Sequence, residues 1–249
     1  MAILDAPVPR GQRHSVHDDL RRIIAAEAPR SAVFTTSFGL EDQVLTHLLH
    51  EAGLAAQLRF ATLDTGRLFP ETYDLWEETE RRYGIVIESF APRGPAIEDF
   101  VARNGVNGFR SSIELRKECC SLRKLEPLER ALAGAVIWIT GLRADQSAAR
   151  QQIRLTEVDA QRGLTKLNPL HDWSRDDLVA FAERHAVPVS PLHARGFLSI
   201  GCAPCTRAIA PGEPERAGRW WWEEEAAKEC GLHVGPDGRL ARQKAEATA

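Results

Sequence analysis

"SAVFTTSFGLEDQVLTHLLHEAG", residues 31–53, decides the fold. Residues 31–38 form a short apolar, β-branched run of strand length. From Glu41 the apolar residues switch to helical spacing and run to Gly53. A strand that feeds a helix through Ser37-Phe38-Gly39 is one βα unit, and the pattern repeats. "AAQLRFATLD" reads as a second strand, followed by the helical "FPETYDLWEETERRYG" with Pro70 near its start. "IVIESF" and "AVIWITG" read as the third and fourth strands. Between them lie the helices "GPAIEDFVARNG" and "ELRKECCSLRKLEPLERALAG", the latter interrupted at Pro127. Upstream, "HSVHDDLRRIIAAEA" is also helical in period. Strands alternating with helices imply an α/β fold with a doubly wound, mostly parallel sheet. Beyond Gly141 the pattern loosens. One further helix is expected at "SRDDLVAFAERH", with Ser174 as N-cap and Asp177 three residues on, and irregular structure from Arg195.

Ligands of such sheets bind outside the carboxyl ends of the strands, so the residues after each strand are the candidates. Ser37, Phe38, Gly39 and Asp42 follow the first strand at a helix start, where unpaired backbone N–H groups favour an anion. The plainer reading is a capped turn, and the G-x-x-x-x-G-K-[ST] phosphate loop is absent. Asp64, Thr65 and Gly66 follow the second strand. Arg143, Gln146 and Arg150 follow the fourth, and two arginines there would suit a phosphate or sulfate.

Composition bounds the rest. The 249 residues make a generous single domain, 43% hydrophobic, with net charge −3. That balance argues against a nucleic-acid binder. No apolar run is long enough to span a bilayer and no signal peptide is evident, so the expected location is cytoplasmic, without a membrane partner. The oligomeric state is left open, a homo-oligomer included.

Five cysteines in a reducing compartment are not a disulfide set. Cys119 and Cys120 are adjacent, with Cα atoms about 3.8 Å apart, below the usual disulfide range. On a helix their thiols diverge by roughly 100°. Cys202 and Cys205 form a C-x-x-C hairpin after Gly201. This quartet suits a [4Fe–4S] cluster or a structural zinc, or stands as plain thiols; the adjacent pair favours the cluster. Arg216 and Arg219 are three apart, on one face of any helical turn. Trp220, Trp221 and Trp222 would anchor the C-terminal segment to the domain. Cys230 stands alone, with Lys228 before it and His233 after it.

Together "SFGLED", "LDTG", "ECCSLRK", "WITGLRADQS", "SIGCAPCTR", "ERAGRWWWE" and "KECGLH" resemble the assimilatory adenylylsulfate reductases, the iron–sulfur branch of the adenylylsulfate and phosphoadenylylsulfate reductase family. The motifs occur in the family's order from about residue 31 to 233. The resemblance implies an adenine-nucleotide α-hydrolase-like fold: a nucleotide-binding domain over residues 1–219, and a mobile tail over 220–249 carrying the nucleophile. It implies that Ser37 to Asp42, Asp64 to Gly66, Arg143 and Arg150 hold the nucleotide, and that Arg216 and Arg219 face the phosphosulfate. It places Lys124 between substrate and cluster, makes Cys119, Cys120, Cys202 and Cys205 the cluster ligands, and Cys230 the nucleophile, with His233 in its motif. The implied reaction converts adenosine 5′-phosphosulfate to sulfite and AMP through a cysteine S-sulfonate, with thioredoxin or a similar dithiol protein as reductant. Ala144 departs from the family, where a second arginine is common, and so does Arg110, where an aromatic is common. The rival readings are a reductase of the 3′-phosphorylated nucleotide or of both, an ATP pyrophosphatase of similar fold, and an iron–sulfur redox sensor. Phe38 and Glu41 do not fit the pyrophosphatase loop.

Overall fold

A computed structural model describes residues 12–24, 27–28, 30–147 and 150–224. Lys228, Cys230 and His233 lie outside the described residues. Six strands, β1 (Ala32–Thr36), β2 (Leu58–Thr62), β3 (Ile87–Ser89), β4 (Ile137–Ile139), β5 (Thr156–Asp159) and β6 (Leu164–Leu167), form one sheet in the order β3-β2-β1-β4-β6-β5. All pairs are parallel except β5 with β6.

The central strands are largely apolar because both sheet faces are covered. Successive residues enter opposite cores. Phe34, Phe60, Ile137 and Ile139 join one buried cluster with Val16 and Leu20 of α1 (Gln12–Ile24), and with Val44, Leu45 and Leu48 of α2 (Leu40–Glu51). Leu75 of α3 (Pro70–Tyr83) and, late in the chain, Leu178 and Phe181 of α7 (Arg175–Arg184) complete that face. Val33, Ala61 and Trp138 join a second cluster with Leu128 and Ala131 of α6 (Glu126–Ala131). The chain lays β2 and β3 on one side of β1, then crosses to β4 on the other side. That reversal opens a crevice at the carboxyl ends of β1 and β4.

Two helices start or change where the sequence requires it. The expected capping box of α7 forms: Ser174 Oγ accepts from Asp177 N at 3.1 Å, and Asp177 Oδ2 accepts from Ser174 N at 3.0 Å. Beyond α4 (Gly94–Asn104), α5 (Ile113–Cys120) is capped by Ser112 and runs into a π-helical turn over Ser121–Leu125. Pro127 lacks an N–H and its ring would strike the carbonyl four residues back, that of Arg123; a widened turn accommodates both. The widened turn directly follows Cys119 and Cys120.

The loosened pattern after Gly141 hid a strand pair. β5 and β6 form a hairpin that extends the sheet, correcting the expectation of four strands. β5, "TEVD", is an edge strand with alternating exposed and half-buried residues, and it lacks an apolar stripe. Buried Asn168 fixes the hairpin, accepting from Thr140 Oγ1 at 2.6 Å and donating to the Arg154 carbonyl and Glu157 Oε2 at 2.9 Å each. After a 3₁₀ turn at His193–Arg195 the described chain is irregular, as expected, with turns, one 3₁₀ turn at Ala203–Cys205 and an isolated bridge between Thr206 and Arg219.

Candidate active site

The crevice is a cleft of about 210 Å³. Its floor is the β1–α2 turn. Phe38 holds a left-handed backbone (φ 60°), a strained state for a non-glycine residue. The ring is buried and stacked on Trp76 at 5.7 Å, which holds the turn in place. Gly39 ends the turn as the N-cap of α2, with no side chain capping the helix. The N-terminal amides of α2 therefore sit at the cleft. Across it Gly141 follows β4, and a Cβ there would collide with Asp42 Oδ1 and Glu41 Cβ. Only glycine lets the two strand ends approach so closely.

Asp42 is buried and accepts from the Ser37 N–H at 2.6 Å and the Ser37 hydroxyl at 2.8 Å. Burial pushes its carboxyl up to about 7; the Ser37 hydrogen bonds oppose this and the charge of Glu41 adds to it. The folded state therefore holds this proton more tightly than the unfolded chain. The resulting stabilisation is full below about pH 4, falls as pH rises, and is gone above about 7, at up to about 1.4 kcal/mol per pH unit. Urea midpoints of wild type should fall between pH 5 and 8 more steeply than those of Asp42→Asn. Parallel pH profiles of the two proteins would rule this out.

Ser37, Phe38, Gly39, Asp42, Thr65, Lys124, Arg150, Arg216 and Arg219 all line the cleft. Asp64 and Gly66 do not. Asp64 Oδ1 instead accepts from Gly66 N (2.9 Å) and from the Tyr73 hydroxyl (2.8 Å), shaping the turn that presents Thr65. Arg143 is also absent from the lining and has no exposed surface. It pairs with Glu41 at 2.8 Å and donates twice to Glu215 at 3.0 Å. Glu41 and Glu215, unlike Arg143 itself, do line the cleft. Burial pushes Glu41 up, but Arg143 and a hydrogen bond from Gln146 more than reverse this and hold it below the usual range. Glu215 stays raised, by burial first and then by the charge of Glu41. The guanidinium also reaches exposed Asp145 at 3.3 Å, and of its two buried carboxylates Glu41 is satisfied better, because Gln146 hydrogen-bonds to it at 2.9 Å whereas Arg175 stands 3.6 Å from Glu215.

Arg216 and Arg219 come from a turn rather than a helix, closed by Arg219 N donating to Arg216 O at 2.9 Å. That turn is tied to the cysteine hairpin. Arg207 N donates to Gly218 O, and Trp220 N donates to Cys205 O at 3.1 Å. Arg219 Nη1 reaches Ile200 O at 3.1 Å, across Gly201, where a Cβ would overlap the guanidinium.

The four cysteines converge on a second, smaller cavity beside the cleft, walled by Arg67, Arg116, Arg123 and Lys124. Cys119 and Cys120 arrive from α5; Cys202 and Cys205 arrive from the hairpin. Lys124, Cys202 and Trp220 line both cavities. Burial pushes the Cys205 thiol up to about 11, helped by Cys202 and opposed by Lys124 and Arg219. Cys119 is raised by burial against Arg123. No three of these sulfurs lie within 4.8 Å of one another. A tetrahedral zinc would hold its sulfurs about 3.8 Å apart. The quartet is a soft thiolate donor set, the chemistry that both iron–sulfur clusters and zinc use.

Three cations here escaped the sequence reading: Arg67, and the pair Arg116 and Arg123. Arg116 is buried, donates to both carboxylate oxygens of Glu223 (2.9 and 2.8 Å) and sits 4.7 Å from the Trp220 ring centre, with Arg219 at 4.9 Å. Arg123 donates to Thr65 O at 2.6 Å. Both lie four residues along the helical run from a cysteine (116 to 120, 119 to 123), a spacing that would have flagged them. Trp220 is buried as the expected anchor, whereas Trp221 is partly exposed. The departing residue Arg110 donates to Pro204 O at 2.9 Å and lies over the rings of Trp221 and Trp222.

Known proteins are similar to this chain in sequence and in fold. The adenosine 5′-phosphosulfate reductase of Sinorhizobium fredii (strain NBRC 101917 / NGR234) is 55% identical over 214 residues, 86% of this chain and 84% of that protein. That of Allochromatium vinosum is 55% identical over 203 residues, 82% and 78% of the respective chains. Among solved structures, the phosphoadenylyl-sulfate reductase of Candida auris, a phosphate complex, is 26% identical with a TM-score of 0.60, covering 82% of this chain and all of that one. Yeast FAD synthetase, at 15% identity and a TM-score of 0.57 over 79% of this chain and 66% of its own, shares the fold, that of the adenine-nucleotide α-hydrolases. With residues 31–208 matching the phosphoadenosine phosphosulfate reductase domain, this chain belongs to the phosphoadenosine phosphosulfate reductase family.

Proposed function

We propose that this enzyme reduces adenosine 5′-phosphosulfate to sulfite and AMP in sulfate assimilation, using Cys230 as nucleophile and thioredoxin or a similar dithiol protein as reductant. The observation that carries the reading is the sharing of Lys124, Cys202 and Trp220 between an anion-suited cleft and a four-cysteine cavity. The relatives named adenosine 5′-phosphosulfate reductase support the substrate.

The α2 amides, Arg150, Arg216 and Arg219 bind the phosphosulfate, and Thr65 and Ser37 contribute hydroxyls. The Cys230 thiolate attacks the sulfur, and the bond from sulfur to the phosphate oxygen breaks. AMP leaves with that electron pair, and Cys230 carries SO3. Arg216, Arg219 and Lys124 stabilise charge on the departing phosphate and the transferring group. A thiolate of the reductant then attacks the Cys230 sulfur and sulfite departs with the bonding pair. The second thiol of the reductant closes its disulfide and frees Cys230. The dithiol supplies both electrons, so the balance closes with no other redox partner.

Cys119, Cys120, Cys202 and Cys205 hold a [4Fe–4S] cluster. When bound it supplies charge beside the cleft and ties α5 to the hairpin. Free catalytic and ligating thiols of this kind belong in the reducing cytoplasm.

Iron analysis with steady-state sulfite release tests the reading. The anaerobically purified enzyme should carry about four irons and lose them in Cys202→Ser. It should release sulfite from adenosine 5′-phosphosulfate at least about 100-fold faster than from the 3′-phosphorylated nucleotide. Preference for the latter would transfer the enzyme to the sister specificity. Stoichiometric zinc in place of iron would defeat the cofactor assignment.

A further inference from the structure

Away from the cleft lining, three helices bring imidazoles around one carboxylate. Glu51, the last residue of α2, has Oε1 3.2 Å from His47 Nε2 and 3.7 Å from His185 Nδ1. Its Oε2 is 3.7 Å from His17 Nε2 of α1. His47 and Glu51 are one helical turn apart and share a face of α2, while His185 caps the end of α7. The donor atoms of His47, Glu51 and His185 all lie within 4.8 Å of one another, the only such group among the described residues. A tetrahedral zinc bound by imidazole nitrogen and carboxylate oxygen holds its donors about 3.4 Å apart. The carboxylate–imidazole separations of 3.2 and 3.7 Å bracket that value.

The surroundings also suit a cation. His47 Nδ1 is 3.2 Å from the Tyr83 hydroxyl, a partner that orients the ring. His47 Nε2 is buried and makes no hydrogen bond, although it stands 3.2 Å from a carboxylate oxygen. His185 is stacked on Phe181 at 4.3 Å, so its ring plane is set as well. Arg82 is the cation that opposes a metal here. Arg82 Nη2 is engaged with the His185 carbonyl at 3.1 Å. None of these residues belongs to the proposed catalytic machinery.

We propose that His47, Glu51 and His185 form a divalent transition-metal site of the zinc type that clamps α2 and α7 together. Tyr83 is its positioning residue, acting through His47. The site is structural: it fastens the helices that cover one face of the sheet.

The test uses full-length, iron-loaded enzyme. Zinc is added to about 100 μM, free metal is removed, and zinc and iron are counted separately while the melting temperature is followed. Wild type should retain one zinc per chain with its iron unchanged, and should melt several degrees higher with zinc. Glu51→Gln, at a partly exposed position, and His185→Gln should lose both effects. Tyr83→Phe should weaken zinc binding about 10-fold while leaving its stoichiometry. Zinc retained equally by Glu51→Gln and His185→Gln, zinc gained with loss of iron, or no zinc retained by wild type would each overturn the site.

Discussion

Cys230→Ser should lower sulfite release by at least about 10³-fold while leaving iron content and nucleotide binding unchanged. Serine is nearly isosteric, but its oxygen is not ionised near neutral pH and forms no S-sulfonate that a dithiol can open. Among the described residues the cleft and the cysteine cavity are lined by positions between 35 and 220, and the substitution leaves all of these in place. Turnover above about a tenth of wild type would move the nucleophile elsewhere. Lys228 and His233 flank this thiol in the sequence.

Arg143→Leu should destabilise the protein by about 3–5 kcal/mol, because it leaves Glu41 and Glu215 buried without their shared counter-charge. Arg175, 3.6 Å from Glu215, compensates only one of them. The loss should be largest above neutral pH. With the guanidinium gone, burial raises both carboxyls, so acid restores part of the stability by neutralising them. A double replacement with Glu41→Gln should recover part of the loss, since one uncompensated charge is removed. Urea unfolding at pH 5 and pH 8 measures this. A loss below about 1 kcal/mol at both pH values would mean the network is not a structural one.

These two residues mark what was legible in the sequence and what was not. The β1–α2 unit was read correctly because strand period, glycine turn and helix period succeed one another within residues 31–53. Pro127 announced the break that became the π-helical turn. The cysteine quartet was visible from spacing, and its convergence comes from the fold. Arg143 was expected at the nucleotide because it comes after β4. Its partners are 102 residues earlier and 72 residues later, a separation over which local spacing carries no information. Glu215 was missed for the same reason. The β5–β6 hairpin was missed because an exposed edge strand lacks an apolar stripe, and Asn168, which anchors it, is polar. The histidine group at Glu51 was hidden similarly: His47 and Glu51 have helical spacing, but His185 and His17 join them only through packing.

The central claim is a covalent sulfur transfer to Cys230. Reduced, iron-loaded enzyme, mixed anaerobically with adenosine 5′-phosphosulfate and no dithiol protein, should gain the mass of one SO3 group. The adduct should map to Cys230 in an intact-protein and peptide mass measurement, and adding thioredoxin should remove it with release of sulfite. No adduct on enzyme whose iron is intact, or an adduct on a cysteine other than Cys230, would contradict the account.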